Sequence, residues 1–476
     1  MTGPERRAGH KRRNDPGRGN QRPQSRRHRP TLDGARLTAY DVLDGVSSRD
    51  AYANLLLPQL LRERQLEPRD AAFATQLAYG TLRATGTLDA VLATLVSRPL
   101  AELDRKVLDL LRLGAYQLID LRVPAHAAVD TTVALTRAIV GTGASGLVNA
   151  VLRKVAAGGD RAAWVAALQP ADDDARLALS TDHPRWIVEA WRDALADGAS
   201  ADDAEVEAAL LADDAAPEVH LVARRIDRAE LAAESGGEPG PWSLYAVRLG
   251  SGDPGRIAAV RSGAAAVQDE GSQLAALALT RAPLDGPDVR WLDMCAGPGG
   301  KAGLLAAVRP AGVHLTAADR APHRAELVRS ALAGADDVEV VVADGTAPPW
   351  PEGSFDRVLL DAPCTGLGAL RRRPEVRWRR TADDVAPLAE LQRQLLDGAL
   401  ASVRPGGVVA YVTCSPHTAE TVDVVDAAAA RDDVEVLPVA PLFGEVPGIE
   451  RGRYGQLWPH RHGTDAMFLA LLRRTR

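Results

Sequence analysis

Residues 291–302 read Trp291-Leu292-Asp293-Met294-Cys295-Ala296-Gly297-Pro298-Gly299-Gly300-Lys301-Ala302. A short apolar run ends in an acid, passes through a glycine-rich turn and opens into a helix-forming stretch that reaches Val308. Glycines at a strand-to-helix turn let the backbone approach a ligand closely. In a doubly wound sheet such a turn lies at the carboxyl edge, where cofactors bind. Residues 297–302 also fit GxGxxA, a pattern that by itself suits NAD equally well. A Walker A loop is excluded, because Ala302 follows Lys301 in place of Ser or Thr and position 295 is not Gly.

The surrounding sequence repeats this alternation. Apolar runs at 289–294, 313–318, 338–343, 357–360 and 408–413 are separated by helical stretches, which predicts a parallel sheet with crossover helices over residues 266–476. Two later runs, 434–439 and 466–472, are expected to pair antiparallel at one sheet edge. Asp319, Asp344 and Asp361 end the second, third and fourth strands and with Asp293 line one edge. An acid at the second strand end can accept ribose hydroxyls, although Asp in such turns also caps helices. The candidate cofactor site therefore comprises Cys295, Ala296, Gly297, Pro298, Gly299, Gly300, Lys301, Asp319, Asp344 and Asp361.

The N-terminal half is of a different kind. Leu103, Val107, Leu110, Leu111, Gly114 and Leu118 recur on one helical face, and helical stretches are predicted at 36–46, 51–64, 68–83, 87–95, 127–140 and 145–157. Residues 35–170 are thus expected to form an all-α domain. Residues 171–265 read as a small α+β connector, with helices near 184–197 and 203–211. The chain as a whole is expected to be multidomain, which its 476 residues allow.

The net charge of −6 hides an asymmetry. Residues 1–30 carry ten Arg or Lys against two acids, a charge of +8 that leaves −14 on the remainder. Residues 1–34 are expected to be a disordered basic tail with a polyanionic partner. No apolar run approaches the ~18–20 residues that span a bilayer, and no apolar segment follows the basic start, so a cytoplasmic location and no membrane partner are expected. Cys295, Cys364 and Cys414 are too few for a disulfide framework and suit a reducing compartment. No Cys pair or His/Cys cluster has metal-ligand spacing. His460 and His462 lack a third ligand and read as loop packing.

Two cysteines fall beside the glycine-rich edge. Asp361-Ala362-Pro363-Cys364-Thr365-Gly366 follows the fourth strand and Thr413-Cys414-Ser415-Pro416 follows the fifth. A dehydrogenase reading explains the turn and Asp319 but neither thiol. Cys295, inside the turn, suits packing better than chemistry.

The stretch 292–302, the run Phe355–Arg380 with D-A-P-C-T-G, and Tyr411-Val412-Thr413-Cys414-Ser415 together resemble the RsmB/Sun/Nop family of RNA 5-methylcytosine methyltransferases. Gln268-Asp269-Glu270-Gly271-Ser272-Gln273 is similar to that family's entry into its Rossmann-like catalytic domain. Leu108–Leu118 and Val148–Arg153 resemble an RNA-binding NusB-like domain, a pairing found in family members acting on small-subunit (16S) ribosomal RNA. The resemblance implies S-adenosylmethionine as cofactor, Cys414 as the nucleophile that adds to carbon 6 of cytosine, Cys364 as the thiol aiding release, and Asp361 as a contact to N3. Thiolate addition makes carbon 5 enamine-like and able to accept a methyl group; a free thiol, with a pKa near 8.5, needs help to become that thiolate.

A target cytosine must be unpaired or flipped out to meet Cys414. Arg371, Arg372, Arg373, Arg377, Trp378 and Arg379 follow the Pro-Cys motif and are expected to contact RNA phosphates and bases. The sequence leaves transfer RNA open as the substrate, and, on the helical half alone, a non-catalytic antitermination factor; the paired thiols argue against the latter. A monomer is expected. Two departures from the family stand out: Ala419-Glu420-Thr421 replaces Glu-Glu-Asn after the Thr-Cys-Ser motif, removing no group expected to act, and Leu221-Val222-Ala223-Arg224 replaces a connector Arg-Val-Asn.

Overall fold

The computed structural model describes residues 32–196, 200–250 and 252–476. The ten basic residues of the tail lie outside the described residues. The helical half is built from Gly34–Arg49, Ala53–Arg64, Pro68–Arg83, Thr85–Leu95, Arg105–Ile119, Ala125–Ile139 and Thr142–Ala157. Asp104 accepts the N–H groups of Lys106 and Val107 at 2.9 and 3.3 Å, so the fifth of these helices starts at Arg105 and Leu103 precedes its cap. Val107, Leu110, Leu111 and Leu113 are buried; truncating such a leucine to Ala costs about 2–5 kcal/mol. Gly114 faces Leu152 so closely that a Cβ would lie 2.5 Å from its Cδ1, which lets Arg105–Ile119 and Thr142–Ala157 close on one another. A further helix, Arg161–Leu168, adds Trp164 to this core.

The connector begins with helices Asp173–Ser180, Arg185–Ala196 and Asp203–Asp214. A small antiparallel sheet follows, formed by β1 (Val219–Ala223), β2 (Glu238–Pro239), β3 (Ala246–Leu249) and β4 (Ala265–Val267) in the order β2-β3-β1-β4. Helix Arg228–Ser235 covers it with Leu231, which is buried against Leu221 and Val247.

The C-terminal sheet contains β5 (Arg290–Asp293), β6 (His314–Asp319), β7 (Val338–Val342), β8 (Phe355–Asp361), β9 (Val403–Thr413), β10 (Val434–Leu437), β11 (Glu450–Arg451), β12 (Tyr454–Gln456) and β13 (Phe468–Arg474). Its order is β11-β12-β13-β9-β8-β5-β6-β7, with β10 beside β13. The strands β9-β8-β5-β6-β7 are parallel. The expected late antiparallel pair forms between β10 and β13, and β13 also runs antiparallel to β9. Val408, Ala410 and Val412 enter one core layer while Val409 and Tyr411 enter the other, as the period of two requires for a strand covered on both faces. The strand sequence departs from β5 through β6 to β7, then returns to β8 and β9 on the other side. The switch point therefore falls between β5 and β8, where open α/β sheets bind ligands. Among the described residues, no helix is long and apolar enough to cross a membrane.

Candidate active site

The turn after β5 is held by its own acid. Asp319, at the end of β6, accepts the Gly297 N–H at 3.1 Å and the Ala321 N–H at 2.9 Å, and Arg324 donates to the Gly297 carbonyl. Ala296 donates to the Ala318 carbonyl at 2.8 Å, and the Gly297-Pro298 peptide is cis. Gly299 has φ +103°, and a Cβ there would stand 2.5 Å from that of Ala331. A side chain is thus excluded both by backbone conformation and by space. Asp344 accepts the Thr346 N–H and hydroxyl at 3.0 and 2.8 Å, bonds that lower its pKa.

Asp293 is the least satisfied acid in the turn region. It is fully buried, and neither carboxylate oxygen has a hydrogen-bond partner among the described residues. Burial first, then neighbouring Asp361, push its pKa up to about 8. A buried acceptor without a donor is costly, and this one lies at the switch point beside a turn with room over Gly300, where a Cβ would have no neighbour closer than 3.9 Å. The residues fit a ligand that brings positive charge and N–H or O–H donors.

Lys301 donates from Nζ to Asp361 Oδ2 at 2.8 Å. Burial works against the lysine charge, but Asp361, with Cys414 and Asp293 behind it, outweighs this and its pKa is raised. The two sulfur atoms, Cys364 Sγ and Cys414 Sγ, are 3.5 Å apart. Their mutual hydrogen bond is the largest influence on each: it raises the pKa of Cys364 and lowers that of Cys414. Burial and Asp361 oppose the second shift, while Lys301 and Arg373 reinforce it. The contact thus favours the thiolate form at Cys414 over Cys364. Cys295 is held as a thiol, its pKa raised by burial and by Asp293.

Glu420, fully buried, joins the two cysteine loops. Its Oε1 accepts the Thr365 N–H at 2.7 Å, its Oε2 accepts the Ser415 hydroxyl at 2.7 Å, and Tyr411 donates to its carbonyl at 2.8 Å. Gln392 adds bonds to the Pro363 carbonyl and to Glu420 Oε1 at 2.9 and 3.2 Å. The sequence contained one signal of this, an acid six positions after Cys414, but gave no reason to connect it to Thr365.

The arginine stretch corrects an expectation. Arg371 is buried, donating to Asp465 at 2.8 Å and Asp269 at 3.3 Å, and Arg372 pairs with the same two acids. Arg377 is wholly buried and pairs with Asp214 at 2.8 Å. Trp378 donates to the Leu82 carbonyl at 2.9 Å, and Arg379 to that of Ala51 at 2.8 Å. Arg371, Arg372, Arg377, Trp378 and Arg379 thus join the three parts of the chain, Arg371 and Arg377 from buried positions and the other three half-buried. Asp269 of the Gln268–Gln273 stretch is part of this clasp. Arg373 alone among the expected RNA contacts keeps an exposed guanidinium free of ion pairs among the described residues. His460 pairs with Glu205 at 3.2 Å and His462 accepts the Trp458 N–H at 2.8 Å, both as packing contacts.

Residues 280–473 match the 16S rRNA methyltransferase RsmB/F family and residues 33–157 match the NusB family. Ribosomal RNA small subunit methyltransferase B of Pseudomonas syringae pv. tomato is 35% identical over 450 residues, 92% of this chain and 96% of its own. The chain belongs to the RsmB/F family. A putative methyltransferase of Mycobacterium tuberculosis is 54% identical over 461 residues, covering 95% of this RsmB/F chain and 99% of the relative. The crystal structure of PH0851 shares the fold across 93% of the RsmB/F chain and 98% of its own, with a TM-score of 0.77 at 21% identity. Glycine-rich turn, paired thiols and NusB-like half accordingly belong to an RsmB/F RNA methyltransferase.

Proposed function

We propose that the protein transfers a methyl group from S-adenosylmethionine to carbon 5 of a cytosine in small-subunit ribosomal RNA, with Cys414 as nucleophile and Cys364 assisting release. The observation that carries this reading is the 3.5 Å approach of the two sulfurs at the ends of β8 and β9, beside the switch-point turn. Bound S-adenosylmethionine supplies an electrophilic methyl group on a sulfonium. The turn 295–301 would hold it, Asp319 and Asp344 would meet its hydroxyl and amino groups, and the unpartnered carboxylate of Asp293 suits its positive charge.

Cys414 thiolate adds to carbon 6, forming an S–C bond and shifting the ring electrons towards carbon 5. Asp361, three residues before Cys364 and bonded by Lys301, would meet N3 and favour that shift. Carbon 5 would then take the methyl group, the methyl–sulfonium bond breaking to leave a neutral thioether. Loss of the carbon 5 proton to water would restore the ring and expel Cys414 as thiolate. The Cys364 thiol, 3.5 Å from Cys414, would donate to the departing thiolate and stabilise it.

The test is a denaturing gel with RNA and S-adenosylmethionine. Cys364→Ala should accumulate a slow-migrating, nuclease-sensitive protein–RNA band; Cys414→Ala and the double variant should show none. The reverse pattern would exchange the two roles. No band in any variant, with no methylation of ribosomal RNA by the wild type, would refute the reading.

A further inference from the structure

Tyr52 stands immediately before the helix Ala53–Arg64 of the NusB-like half and is 45% exposed, unusual for an aromatic side chain in this protein. Two guanidinium groups lie over its ring, Arg379 at 5.4 Å and Arg373 at 5.9 Å from the centroid. Arg379 is anchored by the carbonyls of Val46 and Ala51 at 3.2 and 2.8 Å. The Ala53 N–H meets Glu375 at 3.3 Å. The ring is therefore fixed against the loop that follows Cys364. That loop in turn is tied to the nucleophile: Gly368 donates to the Cys414 carbonyl at 2.9 Å, and Arg373 N–H closes back on Leu370 at 3.1 Å.

Arg371, Arg372, Arg377, Arg379 and Arg380 are committed to acids or carbonyls. Arg373 has no side-chain hydrogen bond or ion pair among the described residues and is exposed. It lies nine residues past Cys364 in the same loop. A fixed, half-exposed aromatic ring beside a guanidinium that makes no hydrogen bond or ion pair is an arrangement that can bind one unpaired nucleotide, the ring stacking the base and the cation meeting a phosphate.

We propose that Tyr52 and Arg373 seat a nucleotide neighbouring the target cytosine, so that the NusB-like half supplies one wall of the RNA entrance. The proposal rests on the assignment of RNA as substrate, and not on the roles of the thiols.

The experiment measures binding of a small-subunit ribosomal RNA transcript to the full-length protein at several salt concentrations, without turnover. Tyr52→Ala should weaken binding about 10-fold, the scale of one lost base stack, with the salt slope unchanged. Tyr52→Phe, which keeps the ring, should restore affinity. Arg373→Ala should flatten the slope by about one unit and Arg373→Lys should recover it. S-adenosylmethionine affinity and melting temperature, measured in parallel, should stay at the wild-type values. Wild-type RNA affinity in Tyr52→Ala, or an unchanged slope in Arg373→Ala, overturns the proposal. Because binding is read without chemistry, an absence of cytosine methylation would count against the proposed reaction and leave this result intact.

Discussion

Glu420 accepts the backbone N–H of Thr365 at 2.7 Å, so a side chain six positions past one cysteine fixes the residue directly after the other. The bridge joins the two loops that carry the thiols, whose sulfurs stand 3.5 Å apart. Glu420→Ala leaves the Thr365 N–H and Ser415 hydroxyl without their acceptor in a buried site, at about 1–3 kcal/mol each. The expected outcome is a melting temperature several degrees lower and a kcat at least 10-fold lower, with S-adenosylmethionine affinity within twofold of wild type. Glu420→Gln, which keeps one acceptor, should lie between. Calorimetry and single-turnover kinetics would check this; wild-type kcat in Glu420→Ala would show that the bridge does not position the thiols.

Asp293 should make the ligand-free protein less stable as pH rises. Its pKa is raised in the folded state to about 8 from near 3.9 unfolded. The folded protein therefore holds a proton that the unfolded chain has released, and stability falls with pH between those values. Asp293→Asn should raise the melting temperature more at pH 8 than at pH 5 while weakening S-adenosylmethionine binding. Thermal unfolding at both pH values tests the sign.

Gly299→Ala meets two obstacles at once, φ +103° and the Cβ of Ala331 at 2.5 Å. A loss of about 1–3 kcal/mol is expected, together with at least a 10-fold weaker cofactor affinity as the turn shifts. Gly312, also at positive φ (+83°) but with nothing within 4 Å of its would-be Cβ, is the control. Gly312→Ala should carry only the backbone penalty and leave affinity unchanged, as isothermal titration can show.

The rate of adduct formation should rise with pH along a limb set by Cys414, below the value of an ordinary thiol, because its contact with Cys364 favours the thiolate. Cys364→Ala removes the largest stabilising influence and should move that limb to higher pH. Arg373→Ala should move it the same way by less. Adduct yield followed by quenched flow between pH 6 and 9 would detect both shifts, and a limb moving to lower pH would contradict a stabilising role for Cys364.

The layered catalytic half was legible because its determinants are local. Turn glycines, strand-end acids and apolar runs fall within a few residues of one another, and β5 to β9 appear where their periodicity places them. The arginine stretch misled for the opposite reason. Whether Arg371 faces solvent or protein depends on Asp269 and Asp465, 102 and 94 residues away, and the partner of Arg377 is 163 residues distant. A run of like charges reads as a solvated surface until its acids are brought to it. Strand β1 escaped notice because it carries His220 between apolar residues, and the bridging role of Glu420 because it lies in a short polar turn without periodicity.

The position of Trp378 limits how such a chain can be rearranged. Its indole fills the space above Gly86, where a Cβ would come within 2.1 Å of the ring, and its N–H is taken by backbone of the helical half. A catalytic fragment cut at the family boundary would carry this indole and its neighbouring arginines into water and loosen the segment that leads back to Cys364. Grafting a different helical module would require a matching glycine and matching carbonyls on the newcomer. The border between the two halves is a seam in the sequence but a keyed joint in space, so recombination between distant relatives should succeed only when both sides of that joint are inherited together.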